Sequence, residues 1–196
     1  MNKIYVSILL YSGLILLILS IANGFMFNID VYVHHFLKQY LSNDSIAQTL
    51  NVIAHIFSPF DCLLFVLIIL AFRFFINKKQ FMLYGFWSFS VFFIGTILKY
   101  TVGRSRPSLQ FDGYSFPSMH VLSVSLLVSL IIFITKNNWF KSIGIVLIVT
   151  MMGSRIYVNA HYFSDTLGSL IIITIMIMSL KLAEERGGQY ETNKKR

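Results

Sequence analysis

An all-α integral membrane fold, six transmembrane helices in a bundle with short interfacial helices between the first two spans, is what this 196-residue chain predicts. Composition is the first reason. Apolar residues make up 56% of the chain and charged residues only 12%, too few to cover a water-soluble globule of this size. The apolar residues also gather into six runs that approach the ~20 residues needed to cross ~30 Å of hydrocarbon. Finally, most of the 16 Lys and Arg fall in the short connections between runs, where membrane topology places them. The net charge of +8 would otherwise invite nucleic acid, but the basic residues are not gathered on one exposed face. Nucleic acid is not expected as a partner.

The first run, about 4–22, follows Lys3 and ends in Ser20-Ile21-Ala22, a loose match to a signal-peptide cleavage site. Its apolar stretch exceeds the usual 7–15 residues of such a core, so a retained anchor is expected. Residues 23–60 form a long connection. Val33, Phe36, Leu37, Tyr40 and Leu41 recur there at helical spacing, and after Ser42-Asn43-Asp44-Ser45 the pattern resumes with Ile46, Leu50, Ile53, Ala54 and Phe57. Two amphipathic helices at the outer interface fit this pattern, either as a packed cap or as a lid where lipid enters. The next runs are about 61–76, 81–98, 119–135, 140–157 and 162–181. Cys62 is the single cysteine, so no internal disulfide forms, and it is expected to face lipid or core. The domain is read as 1–182, with 183–196 a polar cytoplasmic tail that lacks the apolar residues to order itself.

Charge fixes the expected orientation. With the N-terminus, the 77–80 and 136–141 loops and the tail in the cytoplasm, that side holds eleven of the sixteen Lys and Arg. The other side keeps Lys38, Lys99, Arg104, Arg106 and Arg155 together with all five Asp. The positive-inside rule prefers this arrangement, which puts both termini in the cytoplasm.

Three polar clusters then share the outer face. In Ser154-Arg155…His161…Asp165, the histidine and aspartate are four residues apart and would share one helix face. A carboxylate holding one ring nitrogen leaves the other a better nucleophile, and ionisable groups at membrane depth pair or do chemistry. The alternative is a structural Arg–Asp pair beside a satisfied histidine. In Pro117-Ser118-Met119-His120, the proline suits a helix's first turn, leaving the amides of Ser118 and Met119 as an anion site. Alone, that tetrapeptide is more often an ordinary helix start. In Lys99…Arg106-Pro107, the alternative is interface anchors, which is the reading favoured for Arg104; Asp112 is expected to be solvated.

Taken together, the clusters resemble the type 2 phosphatidic acid phosphatase superfamily of integral-membrane lipid phosphate phosphatases. That pattern is Lys-x6-Arg-Pro, Pro-Ser-Gly-His and Ser-Arg-x5-His-x3-Asp; this chain has Lys99-x6-Arg106-Pro107, Pro117-Ser118-Met119-His120 and Ser154-Arg155-x5-His161-x3-Asp165. The match runs from about the third span to the sixth. The resemblance implies that His161 attacks phosphorus to give a phosphohistidine, Asp165 orients it, and His120 protonates the leaving oxygen. It implies that Lys99, Arg106, Ser118, Arg155 and the amide of Met119 hold the phosphoryl oxygens, with no metal or cofactor. Met119 replaces the usual glycine, and its side chain would crowd the phosphate or shape the pocket.

The expected activity is hydrolysis of a phosphorylated membrane lipid: undecaprenyl pyrophosphate first, then phosphatidylglycerol phosphate or phosphatidic acid. The rivals are a non-catalytic lipid-phosphate binder, in which Met119 has spoiled turnover, and a phosphotransferase to another lipid or glycan. A transporter fits less well, because the charges sit at one face rather than mid-membrane. Oligomeric state leaves no signature in the sequence.

Overall fold

Eight helices account for the described residues of the computed structural model, which covers the backbone of 3–41 and 43–194. In chain order they are α1 (Lys3–Ala22), α2 (Phe27–Tyr40), α3 (Asp44–Ile56), α4 (Pro59–Ile76), α5 (Lys78–Val102), α6 (Met119–Thr135), α7 (Asn138–Tyr157) and α8 (Phe163–Lys194). Ser42 of the expected break, and Lys195 and Arg196 of the tail, lie outside the described residues. Five helices (α1, α4, α5, α7 and α8) are long and apolar enough to cross a membrane. The 17-residue α6 is the sixth apolar run; it covers about 25 Å, a little less than the hydrocarbon thickness.

That short helix is the axis of the bundle. Every residue from Val121 to Leu130 is buried, because α4, α5, α7 and α8 pack around it. A helix apolar on all sides can only be placed this way, or against lipid. Small residues let the neighbours close in: Gly144 of α7 lies against Val128, and Gly95 of α5 against Leu122. The outer surfaces of α1, α4, α5 and α7 carry exposed Leu, Ile, Val and Phe, the surface that a bilayer covers.

Local chemistry sets the helix ends. Asn43, Ser58, Asn77 and Asn137 each accept a backbone N–H from the first turn that follows, and Pro59 opens α4. Gly103 ends α5 in a left-handed conformation (φ 59°), which glycine adopts without strain.

The connection after α1 forms two helices, as its periodicity predicts, and both pack on α7 as a cap over one end of the bundle. In α3 and its C-cap most of the expected side is buried, with Leu50, Ala54 and, partly, Ile53 and Phe57 turned inward, while Ile46 of the same pattern is exposed. In α2 the stripe is displaced: Phe36 and Tyr40 are exposed, and the innermost residue is Asp30. The ion pair of Asp30 with Arg104 on the protein side outweighs the apolar periodicity there. Two other expectations change. Pro117 lies one residue before the N-cap Ser118 rather than in the first turn of α6. The backbone beyond Lys181 stays helical to Lys194, because an established helix gains one hydrogen bond per added residue and no proline interrupts it.

Gly144→Ala places a methyl group against the stiff, β-branched Val128, so overpacking is expected to cost about 1–3 kcal/mol. Thermal unfolding in detergent micelles measures that loss.

Candidate active site

The polar clusters sit on helix ends and short turns at one end of the bundle. Lys99 lies in the last turn of α5, and the 103–118 loop carries Arg104 and Arg106. Ser118, Met119 and His120 open α6, Arg155 closes α7, and Asp165 stands in the first turn of α8.

The spacing within each motif has a local cause. The backbone N–H groups of Ala160 and His161 both donate to the Arg155 carbonyl, at 3.1 and 3.2 Å. That closes the five-residue spacer into a tight turn and sets His161 beside the end of its own helix. Asn159, at φ 58°, supplies the left-handed residue this turn needs, a conformation asparagine tolerates better than most. In the first motif, Lys99 Nζ donates to the carbonyls of Tyr114 (2.7 Å) and Pro117 (3.1 Å). Lys99 thereby ties the end of α5 to the start of α6. Arg106 donates from Nε to the Asp112 carbonyl (2.8 Å) and from Nη1 to the Ala160 carbonyl (3.0 Å).

His161 is 3% exposed and has both ring nitrogens assigned by their partners. Nδ1 lies 2.8 Å from the Ser115 carbonyl, which can only accept, so Nδ1 carries the proton. Nε2 then carries the lone pair and faces Arg106 Nη1 at 3.2 Å. Burial lowers the pKa of His161 below its ordinary value; Asp165 opposes this, while Arg106 and Lys99 add to it. The Arg106 guanidinium is also pushed down by burial, against the pull of Asp165 and Asp112, but an arginine remains a cation. His120 stands within electrostatic reach of Arg155, His161, Arg106 and Lys99.

Two groups expected to face phosphate are buried donors with no protein partner among the described residues. They are the Ser118 hydroxyl and Nε of Arg155, whose residue is 9% exposed. A buried donor left unpaired costs about 1–3 kcal/mol, which an anion bound at this end would relieve. Beside His161, between α2 and the 159–162 turn, lies a cavity of about 340 Å³ that Phe27, His34, His35 and Pro107 help to line.

Several sequence expectations are revised by these contacts. His161 precedes α8 rather than sharing a helix face with Asp165, and the hydrogen bond expected between them is absent. Asp165 Oδ2 is 3.7 Å from Nδ1 and accepts the Tyr162 amide at 2.9 Å instead. The Ser115 carbonyl takes the place assigned to that carboxylate. The Ser118 amide points toward the Asp165 carbonyl (3.4 Å), so of the two amides expected to be free only that of Met119 remains at the helix start. Arg104 is no interface anchor: it bridges Asp30 (2.8 Å) and Asp165 (2.7 Å) and lies over the Tyr162 ring (3.9 Å). The Met119 side chain is turned into the α5–α6 interface. A Cβ on Gly95 would lie 3.3 Å from its sulfur. The cap is bound from several points: His34 Nδ1 to the Ile156 carbonyl (2.8 Å), Lys38 over Tyr157 (4.1 Å), and Ser154 Oγ to the Leu50 carbonyl (3.0 Å).

The sequence model of the PAP2 superfamily matches residues 63–186, a span that holds all three motifs. The chain belongs to the PAP2 superfamily. No curated protein matches it significantly. Among solved structures, it is similar to the first transmembrane PAP2-type phosphatidylglycerolphosphate phosphatase from Bacillus subtilis. The TM-score is 0.77 at 20% identity, over 95% of this chain and 98% of that one. It is also similar to Aquifex aeolicus LpxE, with a TM-score of 0.62 at 18% identity, over 78% of this chain and 95% of that one. The shared PAP2 fold makes this a multi-pass membrane protein with the motif residues of its family drawn to one end.

Arg155→Met removes a buried, partly unpaired guanidinium that Arg106 repels, and fills its place with apolar atoms. It is expected to stabilise the folded protein by about 1–3 kcal/mol, read as a higher melting temperature in detergent.

Proposed function

We propose that this PAP2 protein is a metal-independent lipid phosphate phosphatase working through a phosphohistidine. The observation that carries the reading is the state of His161: Nδ1–H is spent on the Ser115 carbonyl, and the Nε2 lone pair is aimed at a guanidinium. An incoming phosphoryl group takes over Arg106 and exposes Nε2 to phosphorus.

The reaction then runs in two displacements. The Nε2 pair forms the N–P bond as the P–O bond to the lipid breaks, and His120 gives its proton to the departing oxygen. A water molecule next passes a proton to His120 and attacks phosphorus; the N–P electron pair returns to Nε2 and inorganic phosphate leaves. Lys99, Arg106 and Arg155, with the Ser118 hydroxyl and the Met119 amide, hold the phosphoryl oxygens. Phosphoryl transfer asks mainly for such positioning and charge stabilisation. Three cations around one phosphate also repel a divalent metal. The packing of Met119 against Gly95 leaves the phosphate side unobstructed and favours turnover over simple binding.

The substrate is a phosphorylated lipid of the extracytoplasmic leaflet, with both termini in the cytoplasm. Arg73, Lys79, Lys136, Lys141 and Lys181 surround a cleft at the end of the bundle away from His161, where the positive-inside rule puts the cytoplasm. Undecaprenyl pyrophosphate is the first candidate, because the expected orientation faces the site to the side where that carrier is released. Phosphatidylglycerol phosphate and phosphatidic acid follow, the former being the substrate type named for the B. subtilis relative.

Purified protein is expected to release phosphate from at least one of these three lipids in excess chelator, and His161→Ala to lower the rate more than about 10³-fold. No release from any of them, or release that requires added metal, would sink the reading. The pH dependence has a definite sign. His161 attacks only when neutral, and its pKa lies below the ordinary 6.5. The acid limb of kcat/KM, as His161 becomes protonated on lowering pH, is therefore expected below pH 6.5.

A further inference from the structure

The cap helix α2 reaches the reaction centre through one carboxylate. Asp30 is 1% exposed; its Oδ1 accepts the Ser164 amide (2.8 Å), and Oδ2 accepts the Ser164 hydroxyl (2.8 Å) and Arg104 Nη2 (2.8 Å). The other arm of the same guanidinium, Nη1, donates to Asp165 Oδ1 (2.7 Å) and to Ser164 Oγ (2.7 Å). A single cation is thus stretched between two buried carboxylates, with the Tyr162 ring beneath it.

Stability does not call for this arrangement. Buried ion pairs replaced by well-packed apolar groups are often as stable or more so, and an apolar α2 would dock on α7 equally well. The effect of Asp30 is on how Arg104 meets Asp165. An arginine facing a lone carboxylate prefers to take both oxygens in a two-pronged pair. With one arm held by Asp30, Arg104 binds only Oδ1, and Oδ2 stays on the His161 side, 3.7 Å from Nδ1. There it faces the imidazole as it gains positive charge on bonding to phosphorus.

We propose that Asp30 is a positioning residue for phosphoryl transfer: by dividing the guanidinium of Arg104 between two carboxylates, it keeps one oxygen of Asp165 turned toward His161. The inference rests on the phosphatase reading above and adds α2, which lies outside all three motifs, to the reaction centre.

The charged and titratable groups around His161 come from every neighbouring element. They are Asp165 on α8, Tyr162 in the turn before it, Arg104 and Arg106 in the loop, Lys99 on α5, His120 on α6, Arg155 on α7, and Asp30, His34 and His35 on α2. Against that background two substitutions act in opposite senses. Asp30→Asn removes a negative charge and lets Arg104 close on Asp165, so the acid limb of kcat/KM moves to lower pH. Arg104→Gln removes a positive charge and moves the limb to higher pH. Each is expected to lower kcat about 10–100-fold, with KM within about threefold of the parent. Arg104→Lys keeps the charge but not the fork, and loses kcat without moving the limb.

Steady-state phosphate release by full-length protein in detergent, across pH and on whichever lipid the parent protein hydrolyses, reads all three. A purely structural role would lower the yield of folded protein and leave the limb in place. Parent-like kcat in Asp30→Asn, or an unmoved limb, would overturn the proposal. If Asp30→Asn does not fold, Ser164→Ala replaces it, since it removes only the hydroxyl shared by Asp30 and Arg104. A fall in kcat of about 3–10-fold at constant KM is then expected, and parent-like kinetics would overturn the proposal. An inactive parent protein is a different result: it defeats the phosphatase reading itself.

Discussion

Four cationic side chains meet at one end of this bundle, and everything else there depends on how three of them are held without being neutralised. Lys99 and Arg106 are fixed by backbone carbonyls, of Tyr114 and Pro117 for the one and Asp112 and Ala160 for the other. A carbonyl dipole orients a cation but leaves its net charge available to a ligand. Arg155 keeps a buried Nε with no protein partner. Among the described residues only Arg104 of these four is met by carboxylates, and by two of them. The cations therefore divide by partner: one is consumed in holding the acidic residues, and three retain the field that a phosphate dianion would meet.

Precision comes from where these groups are mounted. None relies on a long loose segment. Lys99, Arg155 and Asp165 stand in terminal turns of helices packed around α6 or beside it, and His161 is pinned by two amides donating to one carbonyl. The 103–118 loop is the longest piece without helix, and it is fastened from inside by Lys99, Arg106 and the Ser115 hydroxyl on the Ser105 carbonyl (3.1 Å). Met119 shows the same economy of space. Its sulfur lies beside Gly95, so the departure from the family's glycine is absorbed in the helix interface instead of the pocket.

Much of this was readable in advance, because the signals are local. Charge scarcity and run length give the membrane class, helical spacing gives α2 and α3, and the three motifs carry the identities of the polar residues. The misreadings share a cause. Arg104 looks like an interface anchor because the nearest acidic residue in the chain, Asp112, reads as solvated and neither of its partners is a neighbour in sequence. Asp30, its partner, hides in an amphipathic helix whose apolar rhythm points elsewhere. The four-residue spacing of His161 and Asp165 invites a helical contact, but the helix begins only at Phe163.

By itself the sequence determined that the chain crosses the membrane repeatedly, that its family is PAP2, and which polar side chains its three motifs carry. Those properties reside in composition and short spacings, which folding does not alter. Only the tertiary structure decided which acceptor each donor finds: the Ser115 carbonyl for His161, and Asp30 and Asp165 for Arg104. Such pairings join residues distant in the chain, and they are fixed by helix packing and by the high cost of leaving a buried polar group unpaired.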